Sequence, residues 1–405
     1  MNSKLLQSKH FCMLPWTHMH IWPNGNSYMC CGTDPTKPLG VVDGEHTIKM
    51  VWNSDLMKKN RLAMLNNERV PECSKCYEIE SLGGTSFRQE ANINKGHHVD
   101  KIATTMDDGT VPDINMVYMD IRFSNLCNLR CRTCGPELSS RWAQDLPKVI
   151  GTHFIKNVSD LSIDFYEQLI EVLPITEHIY FAGGEPLLID EHYKILQYLI
   201  DTNRAKDIEL TYNTNFSKLK YKNISVLDLW QHFPRVMVGA SLDGYGKQAE
   251  YIRKELVWAD VESNRKLLKE KCPHVKFFVQ VCVSVFNFST LAETHRHYLE
   301  SGFIADEVDW NMNMLTDPDY YHVNITSEKY RKEIQQKYIA HVEWLKSTGR
   351  NNETCLTRWN SMINFLNGEQ HHHNLEVFKR VTAGLDKFRH ESFADTFPEL
   401  TFLLE

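Results

Sequence analysis

The chain has 405 residues, of which 42% are apolar and 24% charged, and a formal net charge of −7. This composition fits a globular protein of two or three domains, and the negative charge gives no footprint for general nucleic-acid binding. No run approaches the roughly 18 apolar residues of a membrane span, and the opening MNSKLLQSKHFCMLPW lacks the apolar core and cleavage site of a signal peptide, so a cytoplasmic, membrane-free protein is expected.

Residues 1–95 begin with a hairpin pattern, HMHIWPNGNSYMCCG, that places Asn-Gly in its turn; the helix SDLMKKNRLAMLNNE (54–68) and a cysteine pair, CSKC, follow. The stretch 92–113 is polar and aperiodic and reads as a linker, placed at 96–114. From about residue 117, β-rich runs alternate with amphipathic ones. The predicted strands are VYMDIRF (117–123), EHIYFAG (177–183), DIELTYN (207–213), RVMVGASLD (235–243), VKFFVQVCVSVF (275–286) and DEVDWNMNM (306–314). The predicted helices are 162–173, 190–201, 226–233, 261–271 and 290–301, with apolar residues recurring at three and four. Six such repeats imply parallel strands with helical crossovers, as an α/β sheet or an open partial barrel over 115–315, with function at the C-terminal strand ends. The remainder, 316–405, reads as a helical extension. The HHH at 371–373 fits a surface cluster better than a metal site.

Eleven cysteines in a chain with no sign of secretion read as metal ligands, catalytic thiols or small core residues. The stretch CNLRCRTCG carries Cys127, Cys131 and Cys134 directly after the first strand of the repeat, in a loop leading to a helix expected from Pro136. Thiolates suit zinc or iron–sulfur clusters. A structural zinc needs a fourth ligand, and the nearest candidate in sequence is His153. A [4Fe–4S] cluster held by three cysteines would instead leave one iron open.

CNLRCRTC resembles the cluster motif of the radical S-adenosylmethionine (radical SAM) enzymes, which places it after the first strand of a partial (βα)6 barrel. The resemblance implies that the open iron chelates SAM, and that one-electron reduction, from a donor such as flavodoxin or ferredoxin, yields a 5′-deoxyadenosyl radical that abstracts hydrogen from substrate. AGGEP (182–186) is by itself a tight turn before a proline-started helix. It is also similar to the family's element in which Gly183 and Gly184 let the backbone approach the methionine moiety and Glu185 meets its ammonium. Asn213 and Asn215 in YNTNF, and Ser241 and Asp243 in SLDG, stand where family members contact SAM. Arg253 matches a position that often faces the SAM carboxylate, although a solvated arginine would read the same. The residue before the third cysteine, usually aromatic, is Thr133.

Cys12, Gly25-x4-Cys30 with Cys31 beside it, and Cys73 and Cys76 make a second four-ligand set, which on spacing alone fits a zinc ribbon equally well. The segment FCMLPW…G-x4-C…VWNSD…RLAML…PECSKC is similar to the twitch or SPASM segments of radical SAM enzymes, here preceding the barrel. That resemblance implies an auxiliary [4Fe–4S] cluster on Cys12, Cys30, Cys73 and Cys76, with Cys31 as the competitor of Cys30.

On 275–286, Val279, Val281, Val283 and Val285 alternate with Gln280, Cys282 and Ser284. The polar trio is expected to line a substrate cavity. Cys282 is a candidate hydrogen donor as well as an ordinary buried thiol, and Cys272 and Cys355 read as core. The implied substrate is a peptide or protein. Residues 1–110 show no separate leader-binding domain, which keeps open a small carbinol or sugar. A non-catalytic zinc or iron–sulfur interaction protein is the alternative of another class.

Overall fold

The computed structural model describes residues 5–81, 84–145, 165–369 and 371–405, and it forms two compact units. The first comprises Met1–Leu126, Ile155–Thr211 and His232–Arg235, so far as these are described. Three strands run parallel within it, His18–Ile21, Tyr118–Ile121 and His178–Phe181, in the register His20↔Asp120↔Tyr180. The predicted hairpin is present: His18–Ile21 pairs antiparallel with Asn26–Tyr28, which pairs in turn with Gly40–Val41. Gly25 sits at the turn with φ +83°, and a Cβ there would lie 2.3 Å from the Val42 carbonyl oxygen, so glycine is required. The parallel addition of His18–Ile21 to Tyr118–Ile121 is a pairing that local periodicity did not announce.

Strand alternation sorts this sheet into two chemical faces. Met19, Ile21, Met119, Ile121, Ile179 and Phe181 are all buried, and Phe181 meets His192 of the helix Asp190–Asp201 edge-on at 4.7 Å. The other face carries His18, His20, Tyr118, Asp120, His178 and Tyr180. There the rings of His18, Tyr118 and His178 stack across three strands at 4.3 and 4.7 Å. The linker stretch holds the end of the helix Phe87–Lys95 and a 3-10 segment, Gly96–Thr104.

The second unit comprises Cys127–Phe154, Tyr212–Gln231 and Val236–Glu405, so far as described. Its parallel strands are Arg235–Ser241 (from Val236), Lys276–Val283 and Trp310–Met314, with Ser241↔Gln280 and Cys282↔Asn313 in register. The strand Glu209–Thr214 starts in the first unit and ends in the second. Helices Val226–Trp230, Trp258–Lys271 and Leu291–Glu300 fall where the periodicity predicts them; Phe165–Val172, in the first unit, occupies the described part of 162–173. After Met314 come helices Glu328–Ser347, Glu353–Phe365 and His372–Arg389. They share a core with the strands through Trp310, Tyr338, His341 and Trp359, where His295 lies flat against Trp310 at 5.1 Å and Trp359 at 5.6 Å. His371 lies 5.2 Å from the His322 ring and 6.2 Å from His373.

Among the described residues, no helix is long and apolar enough to cross a membrane. Burial makes several histidines poor bases: His178 and His192 are lowered to about 3 and His18 to about 4. The unfolded chain takes up these protons near pH 6.5 while the native one does not. Stability is therefore retained above that pH and lost as pH falls toward 3, at up to ~1.4 kcal/mol per pH unit for each such histidine. A urea-denaturation series from pH 7.5 to 4 is expected to show this decline, with a shallower slope in His192→Gln.

Candidate functional site

The loop after Tyr118–Ile121 closes against the AGGEP turn within the first unit. Gly184 N donates to the Ser124 carbonyl at 3.0 Å and Glu185 N to that of Leu126 at 2.7 Å. Gly183 has φ +116°, and a Cβ on Gly184 would meet the Leu126 oxygen at 2.2 Å. The second glycine thus permits two backbones to touch. Glu185 is 1% exposed and accepts from Leu187 N at 3.1 Å, capping the 3-10 turn Pro186–Leu188. The turn reading of AGGEP therefore has a full structural account.

In the second unit, Cys127 and Cys131 are buried and Cys134 half-buried. The helix expected from Pro136 is, within 136–145, only the 3-10 turn Ser140–Gln144; His153 lies outside the described residues. A net of short polar side chains holds the start of the loop. Asn215 donates to Asn128 Oδ1 at 2.9 Å and approaches the Cys127 sulfur at 3.9 Å, while Asn128 donates to Ser217 Oγ at 2.9 Å. The middle of the loop, Arg130–Cys131, pairs antiparallel with Arg253–Lys254. Arg253 accordingly does not face solvent: its Nη1 lies 3.7 Å from the Cys131 sulfur and its Nη2 2.9 Å from Asp243 Oδ2. Burial alone would weaken that guanidinium as a base, but Asp243 and Cys131 outweigh it and hold it protonated.

Asp243 Oδ1 accepts from the backbone N of Cys282 at 2.8 Å, so both carboxylate oxygens have protein partners. Ser241, half-buried, ends the strand Arg235–Ser241. Asn213 lies with its Oδ1 2.9 Å from where a Gly239 Cβ would stand. Of the polar trio on 275–286, Gln280 and Cys282 are half-buried and in register with Asn311 and Asn313, and Ser284 is not part of the strand. The strand stops at Val283, Ser284 is fully buried, and its N donates to Asn287 Oδ1 at 2.8 Å in the turn that follows. Cys282 lies within electrostatic reach of Cys131 and Cys134, and burial pushes its thiol up to about 12. Thr133 is half-buried.

The N-terminal cysteines converge in the first unit. Cys12 feels Cys30 and Cys76, and Cys73 feels all three; burial raises Cys12, Cys30 and Cys73 above the ordinary thiol range. Cys31, an exposed residue, faces other company, Asp120 and Arg122 besides Cys30. The neighbouring VWNSD and RLAML signatures are structural. Arg61, stacked on Trp52 at 5.0 Å, donates to the Pro15 carbonyl and Asn53 Oδ1 at 2.9 Å each, and Ser54 caps the helix Asp55–Leu65.

Two features escaped the sequence reading. His20 lies 2.8 Å from Asp120 and accepts from Trp22 at 2.7 Å, forming a buried polar group beside Arg122. His97, His98 and Glu177 bring three ligand-type atoms within 4.8 Å. The Lys95 ammonium is within electrostatic reach of Glu177, which already supplies that carboxylate with a cation.

Both sets are made of cysteines, soft donors that suit zinc or an iron–sulfur cluster. Buried thiols with raised pKa values also give up their protons only to a strongly binding cation.

Comparison with known proteins agrees. The model of the radical SAM superfamily matches residues 121–297, and that of the SPASM iron–sulfur cluster-binding domain matches residues 12–77. The chain carries a radical SAM domain. With it come a [4Fe–4S] cluster and SAM as cofactors, and the SPASM match brings an auxiliary cluster. The GTP 3′,8-cyclase of Syntrophomonas wolfei subsp. wolfei is 31% identical over 101 residues, 24% of this chain and 27% of that protein, so the match spans about a quarter of the curated relative. Among solved structures, anSMEcpe with bound AdoMet is 18% identical, with 56% of this radical SAM chain and 58% of that one covered and a TM-score of 0.42. Streptococcus suis SuiB bound to S-adenosylmethionine is 14% identical, with 76% and 62% covered and a TM-score of 0.40.

Gly184→Ala forces a carbonyl and a methyl into the same space and is expected to lower unfolding free energy by about 1–3 kcal/mol. Gly244→Ala, whose Cβ would have its nearest neighbour at 3.7 Å, is expected to cost far less in the same denaturation assay.

Proposed function

We propose that this radical SAM protein cleaves SAM reductively and abstracts hydrogen from a peptide or protein substrate. The observation that carries the reading is the loop Cys127–Cys134. Its three sulfurs are buried or half-buried, and Arg253, held by Asp243 at 2.9 Å, lies with Nη1 3.7 Å from the middle one. When bound, the cluster supplies one electron to SAM. In this reading Cys127, Cys131 and Cys134 hold the cluster. Asn215 and Asn128 orient its first ligand, and Arg253 is available to a carboxylate. Gly183, Gly184, Glu185, Asn213, Ser241 and Asp243 complete the set of SAM-facing candidates.

Cys12, Cys30, Cys73 and Cys76 hold the auxiliary cluster. The mutual influence of Cys12, Cys30, Cys73 and Cys76 supports Cys30 over Cys31, because Cys31 shares its surroundings with Asp120 and Arg122 instead. The substrate class rests on the auxiliary segment at 12–77, a type that in the family mostly accompanies peptide modification. Electron delivery by a flavodoxin or ferredoxin belongs to the same proposal.

Protein purified without oxygen is expected to be brown and to form 5′-deoxyadenosine from SAM and dithionite, with deuterium from labelled peptides appearing in that product. Colourless protein without SAM cleavage would overturn the reading, and deuterium transfer from small carbinols or sugars alone would overturn the peptide assignment. The triple variant C127A/C131A/C134A is expected to lose SAM cleavage and keep the auxiliary cluster's iron. Cys30→Ser is expected to lose the auxiliary iron and Cys31→Ser to retain it, as read by iron analysis and Mössbauer spectroscopy.

A further inference from the structure

Arg130 and Arg132 stand between the cysteines of CNLRCRTC, and both are tied to carboxylates. Arg130 Nη1 lies 2.5 Å from Asp145 Oδ1, and its Nη2 3.3 Å from Glu255. Arg132, with no exposed side-chain surface, lies 2.5 Å from Asp386 and 2.8 Å from Glu391, its guanidinium 3.8 Å above the Tyr251 ring. Asp145 is itself held by Arg389 at 2.6 Å, a pair with no exposed surface on either side chain. Asp386 and Glu391 thus reach the loop directly, and Arg389 through Asp145 and Arg130, from more than 240 positions away in sequence.

The end of that helix is shaped for the task. His390 adopts the left-handed conformation with φ 55°, and Glu391 N donates back to the Asp386 carbonyl at 2.9 Å, which brings both carboxylates to Arg132. Tyr251 Oη and Phe393 N occupy the remaining capacity of Asp386, at 2.7 and 2.6 Å. Lys254 ties Glu391 at 3.0 Å and the Arg389 carbonyl at 3.2 Å to the strand that pairs with the loop.

Buried ion pairs add little net stability compared with well-packed apolar groups, and their best-attested use is to fix one arrangement. Here the arrangement brackets a cysteine. Arg130 and Cys131 pair with Lys254 and Arg253, and Arg132, in the turn that follows, donates its N to the Ile252 carbonyl at 2.8 Å. Holding the residues on both sides of Cys131 therefore restrains the backbone that carries its sulfur, which lies 3.7 Å from Arg253 Nη1.

We propose that Asp386, Arg389 and Glu391 form a clamp by which the C-terminal helix sets the geometry of the Cys127–Cys134 loop, as positioning residues for its cluster. The inference rests on the reading that this loop holds the SAM-binding cluster.

The test uses the isosteric double variant D386N/E391Q in the full chain, with Glu391→Gln alone as the milder change. Iron release to a chelator is followed, the SAM-site cluster being identified by the change SAM makes in its EPR spectrum. The variants are expected to release that cluster's iron severalfold faster, with the auxiliary cluster unchanged. With Arg132 left uncompensated, the SAM-site midpoint potential is expected to move to more positive values, an effect that loss of stability alone does not produce. Trp359→Leu, in the core of the helical extension, provides a comparison at equal loss of thermal stability. Equal acceleration at both clusters, or in D386N/E391Q and Trp359→Leu alike, would overturn the clamp, as would unchanged release and potential. Absence of the SAM-site cluster from the unsubstituted protein would instead overturn the reading beneath it.

Discussion

Asp243 has no exposed side-chain surface, and a carboxylate so placed must be neutralised locally. Its partners are the backbone N of Cys282 and the guanidinium of Arg253, and Asn287 holds its backbone carbonyl at 3.0 Å and that of Cys282 at 2.9 Å. Removing one member of such a set leaves an unpaired buried charge, a loss of about 3–5 kcal/mol. The requirement joins the ends of two neighbouring strands to the strand pair that carries Cys131. Solvation of a single carboxylate thereby sets the position of a cation beside the middle cysteine.

The two sulfur sets share one physical problem and meet it differently. Burial raises the thiols of Cys12, Cys30, Cys73, Cys131 and Cys134, so each favours its proton until a cation replaces it. Around Cys131 the opposing influences are Arg253 and, more weakly, Arg389. Around Cys12 the neighbouring thiols add to the penalty, and Arg88 relieves it least. The middle cysteine of 127–134 thus has guanidiniums beside it, whereas the neighbours of Cys12 are mainly other thiols.

Patterns of short range were legible. Each of the six predicted runs from 117 to 314 contains a strand, Glu209–Thr214 passing the end of its run by one residue, and the helices Asp190–Asp201 and Leu291–Glu300 match their periodic stretches almost residue for residue. The cysteine motifs were legible because soft ligands at fixed spacing have few other uses. Ser284 was misplaced because alternation continues in the sequence after the strand has stopped at Val283. Choosing between Cys30 and Cys31 requires knowing which thiol faces Asp120, a fact of the parallel pairing between His18–Ile21 and Tyr118–Ile121. The link from Arg132 to Asp386 spans 254 positions, and nothing local in either neighbourhood announces it.

That parallel pairing also makes part of the SPASM-matched segment an ordinary strand of a sheet. His18–Ile21 is an integral strand, hydrogen-bonded on one edge to Tyr118–Ile121 and on the other to Asn26–Tyr28. Cys12 lies just before it and Cys30 just after its hairpin partner, while Arg61 anchors the helix Asp55–Leu65 to Pro15 at the strand's approach. In the proposed reading these cysteines are ligands, and ligands on both flanks of a hairpin come together only when the hairpin is formed, so cofactor binding and sheet formation would stabilise one another. Building the segment into the sheet edge ties the auxiliary cysteines to the same register that orders His20, Asp120 and Tyr180 across the polar face.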